Sequence, residues 1–457
     1  MIKIPRRLDD LVPTAAIEKV LDVLNQPELY QGVKDAVGKG VKDVNPVEKM
    51  QSAWQQTRMW LEEVAVGRSA TQPSEIINAS GQIFNSQFSG LPTLPVVAYG
   101  YAKAASTYRG HDAESARAHQ IVQSLTSAKY ATFTSSVYAS LLAATTAIGV
   151  KRIAVANSDQ VRLPALGNIG SMLDMLPTEI ARVGATSGAN EAAWQSAVSD
   201  ASTAILLVSP NGLDDASNRT QRKAALDVAK RADAKVIEIL ADGVLNSQLA
   251  SSTGLVDVRA HIDEGVTAIL PLNAILGAPA GCLVAGNEPN LSNLATLATN
   301  MGIELSTAGL SAAANSLQMH GSDNELDSGS QMLFDVNLDN LKDRARRMAV
   351  QVNDFGPIES AREVEQTVAL GPAPWNCHKF PTWSVELTPR DSSELINRMQ
   401  GQSSSSSIAF DQQDGKFLLH LRFVPAGRDH EIVNILTALT DNQGQESQED
   451  ATPSGES

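Results

Sequence analysis

The chain has 457 residues, room for two or three domains, and carries 51 acidic against 36 basic side chains, a net charge of −15. That balance argues against a DNA-binding surface, and an aromatic content of 4% argues against a base-stacking platform. The opening residues, Met1 to Asp10, hold no apolar signal segment. No run reaches the roughly 18 apolar residues of a spanning helix, and the two cysteines, Cys282 and Cys377, have no metal-ligand spacing. The expectation is a cytoplasmic protein with reduced thiols, no metal and no membrane partner.

Residues 1–70 read as an N-terminal helical domain. Ala15, Ile17, Val20, Leu21 and Leu24 follow Pro13 at helical spacing, and Met50, Trp54, Leu61 and Val64 share a stripe on a second helix from Val47 to Val66. Residues 71–340 read as a large α/β domain. A short strand, the polar turn Thr134-Ser135-Ser136 and an Ala/Leu helix come first. The N–H groups and hydroxyls of that turn suit a phosphate, and they equally suit plain helix capping. Aliphatic runs from Arg152, Ala204, Lys235 and Thr267 then alternate with helical patterns such as Gln221 to Ala234. Such alternation implies a mostly parallel sheet covered on both faces, with ligands at the carboxyl ends of its strands. A Gly/Ala/Pro loop joins the Thr267–Leu272 strand to another from Cys282 to Ala285.

An amphipathic helix from Met332 to Met348 leads into a small α+β domain, residues 341–440. Its expected elements are a strand at Phe380, a helix from Asp391 to Met399, a Ser403–Ser407 loop, a hairpin about Asp414-Gly415 and a helix from Arg428 to Leu439. Residues 441–457 are a polar, acidic tail expected to be disordered.

Several segments carry a family resemblance: Ile4-Pro-Arg-Arg-Leu-Asp-Asp-Leu11, Ile77-Asn-Ala-Ser-Gly81, Leu125-Thr-Ser-Ala128, Val183-Gly-Ala-Thr-Ser-Gly188, Val208-Ser-Pro-Asn211, Val236-Ile-Glu-Ile-Leu240, Leu276-Gly-Ala-Pro279 and Asp414-Gly-Lys-Phe-Leu-Leu-His-Leu-Arg422. In this order, from Ile4 to Leu439, the chain resembles bacterial selenocysteine synthase (L-seryl-tRNA(Sec) selenium transferase). The resemblance implies the fold-type I architecture of pyridoxal phosphate (PLP) transferases, a homo-oligomer, and an N-terminal domain that binds tRNA. For tRNA, Arg6, Arg7, Lys34, Lys39 and Lys42 supply only a modest basic set.

The resemblance also marks departures. Ala274 stands where the family has its Schiff-base lysine, and Asn273 where it has the preceding Asp. Asn85 and Ser209 replace histidines, and Gly90 and Gly188 replace arginines. Glu238 keeps the first acid of the strand that faces the pyridine nitrogen. Ile239 replaces the second, and Asp242 is near but out of register. Thr134, Ser135, Ser136, Glu238, Asn273 and Ala274 are thus the degenerate cofactor positions, while Asn85, Gly90, Gly188 and Ser209 are altered substrate positions.

A PLP enzyme needs an amine to hold its cofactor, and no lysine occurs between Val236 and Leu341. The first expectation is a catalytically degenerate homologue with no covalent cofactor, acting by binding or assembly with itself, an active paralogue, another protein or tRNA. The alternative is an active PLP-dependent selenium transferase, or a related amino-acid or amino-sugar lyase, using a non-covalent cofactor or a lysine from another subunit.

Overall fold

In the computed structural model the described residues are 75–438, apart from 86, 89, 109, 165, 322–332, 335 and 402–405; the helices expected before residue 70 and the tail after residue 440 lie outside them. A first strand, β1 (Glu75–Asn78), stands apart from the large sheet. That sheet has seven strands: β2 (Tyr130–Thr134), β3 (Arg152–Ala156), β4 (Glu179–Val183), β5 (Thr203–Ser209), β6 (Lys235–Leu240), β7 (Thr267–Pro271) and β8 (Cys282–Gly286). Their order is β2-β8-β7-β6-β5-β3-β4. From β7 to β4 every pairing is parallel, and β8 runs antiparallel to both β7 and β2. The expected mostly parallel α/β sheet is therefore the one observed.

Burial explains the composition of the strands. All seven residues of β5 are buried, as a central parallel strand with both faces covered requires. On one face α3 (Val137–Ile148) packs against Leu206, Val208, Ile237, Ile239 and Val284. On the other, α4 (Asp215–Ala232) covers Ile205, Leu207 and Val236 through Ala225, Val228 and Ala229. Further along that second face, α2 (His111–Thr126) and α5 (Thr307–Gly321) cover Ala268, Leu270 and Leu283, while α1 (Pro95–Ser106) packs on α5. Helix α3 begins at Ser136, whose Oγ accepts the Ala139 N–H, and ends at Gly149 in the left-handed region at φ 77°.

The C-terminal sheet is antiparallel, in the order β9 (Ile358–Ala369), β10 (Lys379–Pro389), β13 (Lys416–His420), β12 (Asp411–Gln413). Helices α6 (Leu338–Val352), α7 (Ser392–Met399) and α8 (Asp429–Thr437) cover it. Helix α6 starts at Leu338, where Asn337 caps it by accepting the Asn340 N–H; the expected start at Met332 lies outside the described residues, and Phe334 is held against Phe380 and Phe423. Ser406 opens a strand, β11 (Ser406–Ala409), instead of continuing the serine loop, and β11 pairs with β1. The hairpin turn is as read: Asp414 and Gly415 both have positive φ, 50° and 77°, the pattern of a type I′ turn.

The β1 segment is bonded into this sheet. The Ala79 N–H donates to Ala409 O and the Ala79 carbonyl accepts from the His420 N–H, both at 2.9 Å, and Ile77 lies in the core shared by α6, α7 and α8.

Candidate functional site

The turn between β7 and β8 is the first place to look. The Leu272 N–H donates to Gly281 O at 2.9 Å and the Ala278 N–H to Leu272 O at 3.2 Å, so the turn is closed on itself. Ala274 is fully buried and its carbonyl accepts the Leu91 N–H at 3.1 Å. Gly90 lies directly on this turn; a Cβ there would sit 2.0 Å from the Asn273 carbonyl oxygen. Asn85 turns back on its own loop, its Oδ1 accepting the Gln87 and Phe88 N–H groups at 2.7 and 2.8 Å. Phe84 stacks on Trp375 with centroids 3.7 Å apart. Both rings belong to the same apolar cluster as Ala274, Ile275, Ile239 and Leu141.

The other turn positions have partners of their own. Thr134 is buried, with Oγ1 2.6 Å from Ser140 Oγ; the Ser135 N–H donates to Ile303 O at 2.9 Å; Ser136 is the helix cap. Gly188 lies elsewhere. It exchanges two backbone hydrogen bonds with Ala185, and a Cβ on it would meet Gln221 Oε1 at 3.0 Å. Beneath it, Gln221 Nε2, Asn211 Nδ2 and Ser158 Oγ all donate to Asp159 Oδ1, and burial pushes the Asp159 pKa up to about 6 against those donors.

Ser209 and Glu238 come together around a cavity of about 200 Å³ at the carboxyl ends of β5 and β6. Residue parity places it: Ile237 and Ile239 face α3 with Ala274, whereas Val236 faces α4 and Glu238 meets Arg222 of α4. The cavity therefore opens on the α4 face, opposite Ala274. Glu238 is buried. Arg222 donates to it from Nε and Nη2, and His261 Nδ1 lies 2.8 Å from its Oε2. Burial alone would raise the pKa of Glu238; His261 and Arg222 outweigh that and hold it below the usual carboxylate range. Arg222 also pairs with Glu264 at 2.6 Å.

A second buried carboxylate, Asp242, accepts from Ser209 Oγ at 3.0 Å and from His378 Nε2 at 2.7 Å. Burial disfavours the imidazolium, but Asp242 and the neighbouring Cys377 raise the His378 pKa to about 10. With a folded pKa above the unfolded value, this pair stabilises fully below about pH 6.5, and its contribution fades as pH rises through about 10. Ser209→Ala removes a hydrogen bond to a buried ion, and the expected loss is about 1.5–3 kcal/mol in urea denaturation.

Sequence reading missed His378, Arg222 and His261. His378 is 136 residues from Asp242, so no local spacing links them. Arg222 had a usable signal: a cation inside the predicted 221–234 helix, on the face turned to a strand acid. Of the expected positions, then, Gly90, Asn273 and Ala274 meet at the β7–β8 turn, Ser136 caps α3 with Thr134 and Ser135 just before it, Ser209 and Glu238 share the cavity, and Gly188 is separate. Among the described residues no group of three or more His, Cys, Asp or Glu could hold a metal, and no helix is long and apolar enough to cross a membrane.

No protein-family model matches the chain, and no curated protein does. Solved structures do match. D-glucosaminate-6-phosphate ammonia-lyase is similar over 80% of this chain and 95% of that one, at 16% identity and a TM-score of 0.57. Serine palmitoyltransferase from S. paucimobilis is similar over 79% and 87%, at 13% identity and a TM-score of 0.44. Serine palmitoyltransferase from Sphingomonas wittichii is similar over 83% and 96%, at 13% identity and a TM-score of 0.43. These are PLP-dependent fold-type I enzymes, and at such identities the likeness is one of fold. The chain has the fold-type I PLP-transferase-like architecture.

Proposed function

We propose that this is a selenocysteine-synthase-like protein that has lost cofactor chemistry and acts by binding or assembly. The observation that carries the reading is Ala274: the position offers no amine, and it is sealed beneath Leu91 within an apolar cluster. The surrounding residues do not suit a covalently held PLP. Ile239 replaces the acid on the Ala274 side of β6, and Glu238 faces the other side, already neutralised by Arg222 and His261. The Ser135 N–H is spent on Ile303, and a side chain at Gly90 would strike Asn273. Lys235 starts β6 at its amino end, with Nζ 3.2 Å from Glu288. On this reading the partner is a second copy of the chain, an active paralogue or another protein, with tRNA a weaker candidate through the N-terminal basic set.

The fold likeness to an ammonia-lyase favours the second reading, a PLP-dependent transferase or lyase that borrows a lysine from a neighbouring subunit or holds PLP without one. One experiment separates the two. Full-length protein is mixed with PLP, reduced with borohydride and mapped by mass spectrometry. The expected result is no aldimine absorbance and no pyridoxyl-lysine. A stoichiometric adduct on one lysine returns the enzyme to the front, and a saturable unreduced PLP spectrum supports the non-covalent form.

A further inference from the structure

The cavity on the α4 face lies across the sheet from Ala274 and is independent of the cofactor question. Both of its buried carboxylates have partners within the chain, although Asp242 takes its bonds on Oδ2 alone and its buried Oδ1 has none. Glu238 is held by Arg222 and His261, and Asp242 by Ser209 and His378. Apart from that enclosed oxygen, what the named lining residues leave over is donors. Arg219, one turn before Arg222 on α4, is exposed at the rim and has no hydrogen bond or ion pair among the described residues. Asn218 uses Oδ1 to accept from Asn211 Nδ2 at 3.5 Å, which leaves its amide Nδ2. His261 uses Nδ1 on Glu238, which leaves Nε2. All three residues line the cavity.

A rim whose three unspent side chains are donors, one of them a permanent cation with a planar fork, selects an acceptor with negative charge. The geometry points to a binding site for a small molecule bearing an oxyanion, a carboxylate or a phosphate monoester, with Arg219 as its charged anchor and Asn218 and His261 as flanking donors. Asp215, one turn earlier on α4, also lines the cavity and is exposed. Size narrows the class further. A cavity of about 150 Å³ accommodates benzene, so 200 Å³ suits a compact acid or a phosphate on a short arm. The position agrees with the general habit of open α/β sheets, which take ligands beyond the carboxyl ends of their strands.

Isothermal titration calorimetry of the full-length protein tests this with two probes, malonate and inorganic phosphate, each at constant ionic strength and without PLP. At least one is expected to give a saturable one-to-one isotherm. Arg219→Gln is expected to weaken it about tenfold, the loss of roughly one charge-assisted hydrogen bond. Arg231→Gln, also on α4 but paired with Glu191, is expected to leave it unchanged. Malonate alone assigns a carboxylate ligand, phosphate alone a phosphate ester, and both the shared oxyanion group. No saturable heat with either anion, equal affinity in Arg219→Gln, or equal weakening in Arg231→Gln overturns the proposal. Because no PLP is present, failure here leaves the reading of the Ala274 face untouched.

Discussion

Ala274→Lys is expected to cost more than about 5 kcal/mol of stability, and not to bring back a cofactor site. The alanine is fully buried, its carbonyl is bonded to Leu91, and its neighbours are Ile275 and the rest of the α3-side core. A lysine adds three carbons and an ammonium to a packed interior: the overpacking typically costs about 1–3 kcal/mol, and an ammonium there without a counter-ion costs several more. The acid that would receive that charge is out of reach on this face, since its position holds Ile239 and Glu238 points to Arg222. Urea denaturation measures the loss. A variant that keeps wild-type stability and forms a borohydride-trappable PLP adduct would mean that the turn is open and the degenerate reading is wrong.

Arg222→Ala should cost about 3–5 kcal/mol, the usual penalty for stranding one member of a buried ion pair. Arg222 meets Glu238 with two nitrogens and Glu264 with a third, and Glu238 is almost wholly enclosed. After truncation only His261 faces that carboxylate from hydrogen-bonding distance. The Glu238 pKa should then rise, and the difference from the wild type should shrink as pH falls and the acid is protonated. Arg222→Met combined with Glu238→Leu should recover most of the loss, because removing both charges leaves nothing unpaired. Chemical denaturation of variant and wild type between pH 5 and 8 checks each arm, and a difference between them that does not change with pH would show that water reaches Glu238.

Much of the fold was legible because its burial is periodic. Strands β5, β6 and β7 are aliphatic runs between helical patterns, and Asp414-Gly415 names its own turn. The strands that escaped notice sit at edges. Along β9 only Ile358 and Val368 are buried, so Ile358–Ala369 reads as polar and structureless until β10 pairs with it over its full length. The β4 run, Glu179–Val183, exposes Glu179 and Arg182 for the same reason. At the site, Ser209 and Glu238 were visible through motif positions on single strands. Their partners were not, because His378 enters from the C-terminal half and His261 from a different helix. Sequence reading finds residues that share a local element; the neutralisation of Asp242 and Glu238 is a property of elements that meet only after folding.

The attachment of β1 has a consequence in time. Ala79 bonds to Ala409 and to His420, so the strand that leads into the large sheet must wait for a partner made roughly 330 residues later. At translation rates of about 5–20 residues per second, the interval is on the order of 15–65 s. Throughout it, Ile77 and an unpaired strand edge are exposed on the nascent chain, the kind of surface that aggregates or recruits a chaperone. The large sheet can form from contiguous sequence, but the C-terminal sheet is finished by a segment that precedes the large sheet. Completion of the C-terminal sheet therefore waits on synthesis, and its exposure to misfolding is set by synthesis time as well as by stability.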